Sequence, residues 1–174
     1  VINKDRIHFS NNLKDIEKSD VVIICVNFDL KMNKLRQLKK LKFFFSNLSK
    51  FLKKKSMVLI ETTLPPGTCN KIILPVIKQS LSKRKIRIGD ISFSYAFERV
   101  MPGKFYSRSI TDNHKCYAGK DKISEEKCKK FLKKYINFKN YPLFKFDNLL
   151  DCETAKILEN SYRAINIAFI DEWT

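Results

Sequence analysis

Lys156, Asn160 and Arg163 recur at i, i+4 and i+7, the spacing that stacks side chains on one face of a helix. An ammonium, a carboxamide and a guanidinium in one column suit an oxygen-rich ligand, and Asn166 lies beside them. A solvated face in so lysine-rich a chain would carry several lysines, whereas this stripe has one. The competing reading is an amphipathic helix whose polar stripe meets only water. Two further groups stand at the ends of apolar runs. Thr62-Thr63 closes the run SMVLIE just before Pro65-Pro66-Gly67, where a threonine hydroxyl could hold a water or a sugar oxygen. Glu98-Arg99 follows Tyr95-Ala96-Phe97, and a carboxylate beside an apolar segment suits proton transfer. The ordinary alternatives are a threonine that caps a helix and a Glu98–Arg99 pair at the surface.

The lysine column needs a helix over 151–174, with Asp151 as its N-cap and no Gly or Pro to stop it. Its apolar side would hold Ile157, Leu158, Ser161, Ala164, Ile165, Ala168 and Phe169. Upstream, residues 20–27 and 56–61 hold short continuous apolar runs, the mark of strands buried on both faces of a parallel sheet. Further strands read over 86–95, 114–119 and 141–146. Helices read over 31–52, 68–81 (with Pro75 as a kink) and 124–135. Strands alternating with helices predict an α/β fold on a parallel sheet with right-handed crossovers. Ligands of such sheets sit at the carboxyl ends of the strands, which is where Thr63 and Glu98 fall.

With 174 residues, 44% of them hydrophobic, the chain can fill one good core. It has no apolar run of about 18 residues, so no membrane span is expected. The opening VINKDRIHF is no signal peptide, and a cytoplasmic protein is expected. A net charge of +17 invites a nucleic-acid reading. Only seven of the 35 basic residues are Arg, however, and the lysines are scattered without an aromatic-rich motif. Solvated helix faces account for them, and no nucleic-acid partner is expected. Cys25, Cys69, Cys116, Cys128 and Cys152 form no C-x-x-C pair, so free thiols and no metal site are expected.

The pattern K-x-x-E-N-x-x-R-A-x-N-I-A-x-x-x-E over 156–172 resembles the central-helix signature of the UDP-glucose/GDP-mannose dehydrogenase family. ETTLPPGT (61–68) is similar to its S-T-x-P-x-G-T segment, and FSYAFERVMPGK (93–104) to its Y-x-P-E-R-x-x-P-G segment. CYAGKD is similar to the strand that follows, and the segments come in family order, covering 20–174. The E-R-V-x-P-G form resembles the branch acting on UDP-N-acetylhexosamines.

The resemblance implies an NAD-dependent enzyme of polysaccharide precursor synthesis that oxidises the C6 alcohol of a UDP-sugar to a carboxylate. It implies that Thr63 holds a catalytic water near the nicotinamide, that Glu98 is the acid/base, and that Lys156, assisted by Asn160, stabilises an oxyanion. Arg99, Arg163 and Asn166 would contact the sugar nucleotide with Glu98, and 26–29, notably Val26 and Asn27, would border NAD. Residues 1–146 would be the C-terminal part of a Rossmann-like NAD domain. Residues 147–174 would begin a helical domain that forms a homodimer through the central helix.

Two family features have no counterpart. The glycines are Gly67, Gly89, Gly103 and Gly119, so there is no G-x-G-x-x-G turn for the pyrophosphate. No Cys stands in a G-x-C-x-P context as the nucleophile. Asn27-Phe28-Asp29 stands where the family has Pro-Thr-Pro, and Phe97 where Pro is common. A middle segment of a longer enzyme, inactive alone, is therefore expected. The alternative is a remnant or sugar-nucleotide-binding module without turnover.

Overall fold

A computed structural model describes residues 7–27, 33–100 and 103–174. Phe28 and Asp29 of the expected NAD rim, the start of the helix read over 31–52, and Pro102 lie outside the described residues.

The elements are β1 (Val21–Ile24), α1 (Lys34–Ser49), β2 (Met57–Ile60), a π-helical stretch (Cys69–Ile73) running into α2 (Leu74–Lys83), and β3 (Ser92–Tyr95). Then come α3 (Tyr106–Thr111), β4 (Lys115–Gly119), α4 (Lys122–Leu132), β5 (Leu143–Lys145) and α5 (Leu149–Asp171). The five strands form one mostly parallel sheet in the order β1-β2-β3-β4-β5, a Rossmann-like α/β fold. Every residue of β2, β3 and β4 is buried, as the continuous apolar runs require. One face carries Val22, Ile24, Val58, Ile60, Phe93 and Tyr95 against the apolar sides of α1, α2 and α5. The other carries Met57, Leu59 and Tyr117 against Cys128, Leu132 and Ile136 from α4 and the turn after it.

Two details depart from the expected sheet. β1 is buried on one face only: Val22 and Ile24 are covered, whereas Ile23 is 43% exposed on the side that α4 does not reach. The other is the pairing of β4. Strands β1, β2 and β3 run parallel, but β4 pairs with β3 antiparallel through Ser94↔Gly119 and Tyr95↔Ala118. Among its described residues, the segment between them holds only the six-residue α3, too short to carry the chain back along the sheet. β4 therefore starts where β3 ends, and β5 runs parallel to β4. Three residues beyond the Tyr95↔Ala118 pair, the same register sets Glu98 opposite Lys115.

Pro75 lies in the first turn of α2, directly after the π-helical stretch. The proline offers no N–H and its ring crowds the preceding turn, and the wider π turn relieves both. The kink expected there is this change of helix type.

Helix α5 begins two residues earlier than expected. Asn148 is its N-cap, accepting from the Asp151 N–H at 2.9 Å, and Asp151 is the third helical residue. Leu149, Cys152, Glu153 and Lys156 are its buried residues, at i, i+3, i+4 and i+7. From Asn160 on, every residue is exposed. The face carrying Leu158, Ile165 and Phe169 is therefore the open one, and the body takes the face carrying Lys156.

Candidate active site

The carboxyl ends of β1, β2 and β3 open into a cleft of about 850 Å³, a volume suited to part of a dinucleotide or a sugar nucleotide. Val26 and Asn27 after β1, Thr62, Thr63 and Pro65 after β2, and the carboxylates Glu61 and Glu98 line it, together with Tyr135 and Ile157. The Thr62 hydroxyl donates to the Val26 carbonyl at 2.8 Å, so it ties the end of β2 to the end of β1. Thr63 is exposed on the cleft wall and leaves the backbone ties to its neighbour.

Lys115 lies buried against two of the carboxylates that line the cleft. Its ammonium stands 2.6 Å from Glu98 Oε2 and 3.0 Å from Glu61 Oε1, with only 3% of its side chain exposed. Burying a lone ammonium would cost several kcal/mol, and two carboxylates at this distance offset that. The other oxygen of Glu98, Oε1, accepts the Arg99 backbone N–H at 2.7 Å, so both ends of the carboxylate are fixed. Glu61 also accepts from the Tyr135 hydroxyl at 3.4 Å and the Cys25 thiol at 3.7 Å. Burial, then the charge of Glu61, pushes the Cys25 thiol up to about 11, so it is no thiolate nucleophile at neutral pH.

Behind Glu98 lies a second network, centred on Glu159. Lys156, 6% exposed, donates to the Glu98 carbonyl at 2.9 Å and stands 3.4 Å from Glu159 Oε1. Its ammonium also lies 5.3 Å from the centre of the Phe97 ring. Burial holds Lys156 below its ordinary pKa, with the charge of Glu159 opposing. Arg99 turns away from the Glu98 side chain. Its Nε donates to Glu159 Oε2 at 2.5 Å and its Nη1 to the His114 carbonyl at 2.5 Å. The expected surface pair of Glu98 and Arg99 side chains is thus replaced by Glu98–Lys115 and Arg99–Glu159.

The structure brings Val26, Asn27, Thr63 and Glu98 to one cleft and sets Lys156 against the backbone of Glu98. It does not bring Asn160, Arg163 and Asn166 there. They lie exposed on the free length of α5, where Arg163 stands 3.9 Å from Glu159 and the Asn166 amide donates to the Tyr162 carbonyl at 2.7 Å.

Glu61, Lys115, Tyr135, Glu153 and Glu159 escaped the sequence reading. Glu153 is fully buried and accepts the Gly67 N–H at 2.6 Å and the Cys69 N–H at 2.8 Å, locking α5 to the Pro-Pro-Gly turn that follows Thr63. Charged residues inside apolar runs were the available signal: Lys115 opens the run KCYAG and Glu153 follows Cys152 on the buried face of α5.

Comparison with known proteins follows the same lines. The model of the UDP-glucose/GDP-mannose dehydrogenase family, NAD binding domain, matches residues 1–140. The UDP-N-acetyl-D-mannosamine dehydrogenase of Methanocaldococcus jannaschii is 32% identical over 94% of this chain and 36% of its own length. A UDP-N-acetyl-D-glucosamine 6-dehydrogenase of Pseudomonas aeruginosa is 28% identical over 95% of this chain and 38% of its own. Among solved structures, the UDP-D-ManNAc dehydrogenase of Pyrococcus horikoshii superposes with a TM-score of 0.78 at 25% identity, covering 94% of this chain and 37% of the other. The chain thus spans little more than a third of the length of these relatives.

Proposed function

Since the chain belongs to the UDP-glucose/GDP-mannose dehydrogenase family, we propose that it works as part of an NAD-dependent dehydrogenase oxidising the C6 alcohol of a UDP-sugar, in making polysaccharide precursors. The observation that carries this reading is the meeting of three separate segments: Thr63 and Glu98 line one cleft, and the buried Lys156 ammonium bonds the Glu98 backbone beside it. The N-acetylhexosamine relatives favour a UDP-N-acetylhexosamine as the sugar.

The cofactor fits in part. The open carboxyl end of β1 and the apolar cleft wall suit a nicotinamide ring, with Val26 and Asn27 at its edge and Thr63 beside it. None of the four glycines forms a pyrophosphate-binding turn, so these residues would hold the nicotinamide half. A bound NAD would supply the hydride acceptor for the alcohol carbon. Glu98 takes the hydroxyl proton on its carboxylate, which is fixed by Lys115 and the Arg99 N–H. Lys156 has three N–H donors, of which the Glu98 carbonyl and Glu159 engage two. The third is the donor for an oxygen on which negative charge develops. Thr63 offers an exposed hydroxyl to position a water. Asn160, Arg163, Asn166 and Arg99 serve the sugar-nucleotide side when a partner surface closes over α5.

The same reading divides the chain at residue 146: 1–146 as part of the NAD domain, and 147–174 as the start of a helical domain. Leu158, Tyr162, Ile165 and Phe169 on α5, with Trp173 just after it, are each 61–78% exposed, an apolar surface that a homodimer would cover. A cytoplasmic location accompanies this chemistry; among the described residues, no helix is long and apolar enough to cross a membrane. The test is NADH formation by the whole gene product across a panel of UDP-sugars. Purified, folded protein that binds a UDP-sugar yet forms no NADH would favour a binding module instead.

A further inference from the structure

Lys115 is shared by two carboxylates that reach it from different segments, Glu61 after β2 and Glu98 after β3. Two carboxylates and one ammonium carry a net charge of −1, and one added proton makes the cluster neutral. If Glu98 alone faced Lys115, protonating Glu98 would leave a buried cation without a partner, which is strongly unfavourable. With Glu61 present, Lys115 keeps a partner at 3.0 Å whatever the state of Glu98.

Resting on the dehydrogenase reading above, we propose that Glu61 and Lys115 are positioning residues that let Glu98 cycle between its charged and neutral forms inside the cleft. In the step they support, the C6 hydroxyl O–H bond breaks and its proton goes to the Glu98 carboxylate. The hydride on that carbon goes to NAD, the oxidant, leaving a carbonyl. Lys115 then pairs with Glu61 until Glu98 releases the proton.

The neighbours do not compete for this proton. From β1, the Cys25 thiol is pushed up to about 11 by burial and by Glu61. From α4, Cys128 is pushed up to about 12 by burial, and burial with the charges of Glu61 and Glu98 raises the hydroxyl of Tyr135 in the turn after it. From α5, Lys156 bonds the Glu98 carbonyl and is balanced by Glu159, which also holds Arg99.

The experiment is the pH dependence of kcat/KM for the whole gene product and three variants. Glu61→Gln removes one of the two carboxylate charges around Lys115, so the acidic limb moves to lower pH by about one unit or more, and kcat falls. Lys115→Met sets two carboxylates together without a cation, and the limb moves to higher pH by about one unit or more. Lys115→Arg restores the wild-type limb. If the group that titrates in the limb is not a carboxylate beside this pair, the two charge changes do not displace the limb in opposite directions. Limbs that stay in place, or move the same way, overturn the proposal.

A second readout needs no cofactor or sugar. In thermal unfolding, the loss in Lys115→Met shrinks as pH falls into the carboxylate range, and adding Glu61→Gln to it recovers part of the loss. Strictly additive losses overturn the charge sharing. A gene product that forms no NADH with any UDP-sugar sinks the dehydrogenase reading, whereas the unfolding cycle judges the cluster by itself.

Discussion

Lys156→Met separates a catalytic cation from a structural one, because the surroundings of Lys156 predict what its loss costs. The ammonium donates to the Glu98 carbonyl and to Glu159, and losing the charge-assisted bond to the carbonyl costs about 1.5–3 kcal/mol. Glu159 is not stranded, because Arg99 still holds it at 2.5 Å and Arg163 at 3.9 Å. Met keeps the aliphatic packing near Phe97, and removing a buried cation relieves the desolvation that depresses the Lys156 pKa. These terms oppose each other, so the net loss in stability is within about 1 kcal/mol. Lys156→Ala also removes three methylenes and costs roughly 2–2.5 kcal/mol more, which makes Met the cleaner probe.

The pH dependence has a definite sign. A lysine whose folded pKa lies below its unfolded value of about 10.5 binds fewer protons when folded. Wild-type stability relative to Lys156→Met therefore rises as pH climbs through the folded pKa towards the unfolded one. Turnover behaves differently. If Lys156 donates to a developing oxyanion, Lys156→Met lowers kcat by roughly 10²–10³, about 2.7–4 kcal/mol, with a smaller effect on KM. The assay is NADH formation beside thermal unfolding, with Lys133→Ala, an exposed lysine after α4, as control. Turnover within a few-fold of wild type in a folded Lys156→Met protein would refute the placement of the active site.

Glu153 titrates above its ordinary value of 4.5 because burial outweighs its bonds to Gly67 and Cys69. The folded state therefore holds its proton to higher pH, and wild-type stability relative to Glu153→Gln should fall as pH rises above about 4.5. The Gly67 and Cys69 amides should exchange with deuterium faster in that variant, and unchanged exchange would contradict the lock. Cys25 is exposed yet holds its proton to about 11, so iodoacetamide should modify it slowly at pH 7 and steeply faster towards pH 11, read by mass spectrometry; rapid labelling at neutral pH would count against the Glu61 contact. Gly119→Ala should cost roughly 1–3 kcal/mol in thermal unfolding, since its Cβ would meet the Glu125 backbone nitrogen at 2.5 Å; a neutral effect would mean that α4 can shift.

Strands β2, β3 and β4 were legible because the sheet buries them on both faces, whereas β1 is covered on one face and β5 hardly at all. The lysine column of α5 was legible as a helix face, but periodicity left open which face the body takes. A large apolar stripe normally faces the body. Here the body receives Leu149, Cys152, Glu153 and Lys156, while Leu158, Ile165 and Phe169 stay open. Hydrophobicity marks what must be covered, not by which surface, and in this chain the covering surface for the apolar stripe is not the sheet.

Lys115 and Glu61 were hidden for a different reason. Each ends or begins an apolar run and looks like strand punctuation, because a wholly parallel sheet would put the start of the fourth strand at the edge away from the cleft. The antiparallel turn of β4 reverses that edge and carries Lys115 to the carboxyl ends of β1, β2 and β3. One reversed strand therefore converts an isolated Glu98 into a carboxylate held by a buried cation with a second carboxylate behind it. That reversal depends on the connection over 96–114 being too poor in helix to cross the sheet, a property of no single motif. Glu98 could be found from its own neighbours in sequence, but what allows it to change charge in a closed cleft is supplied by strand direction.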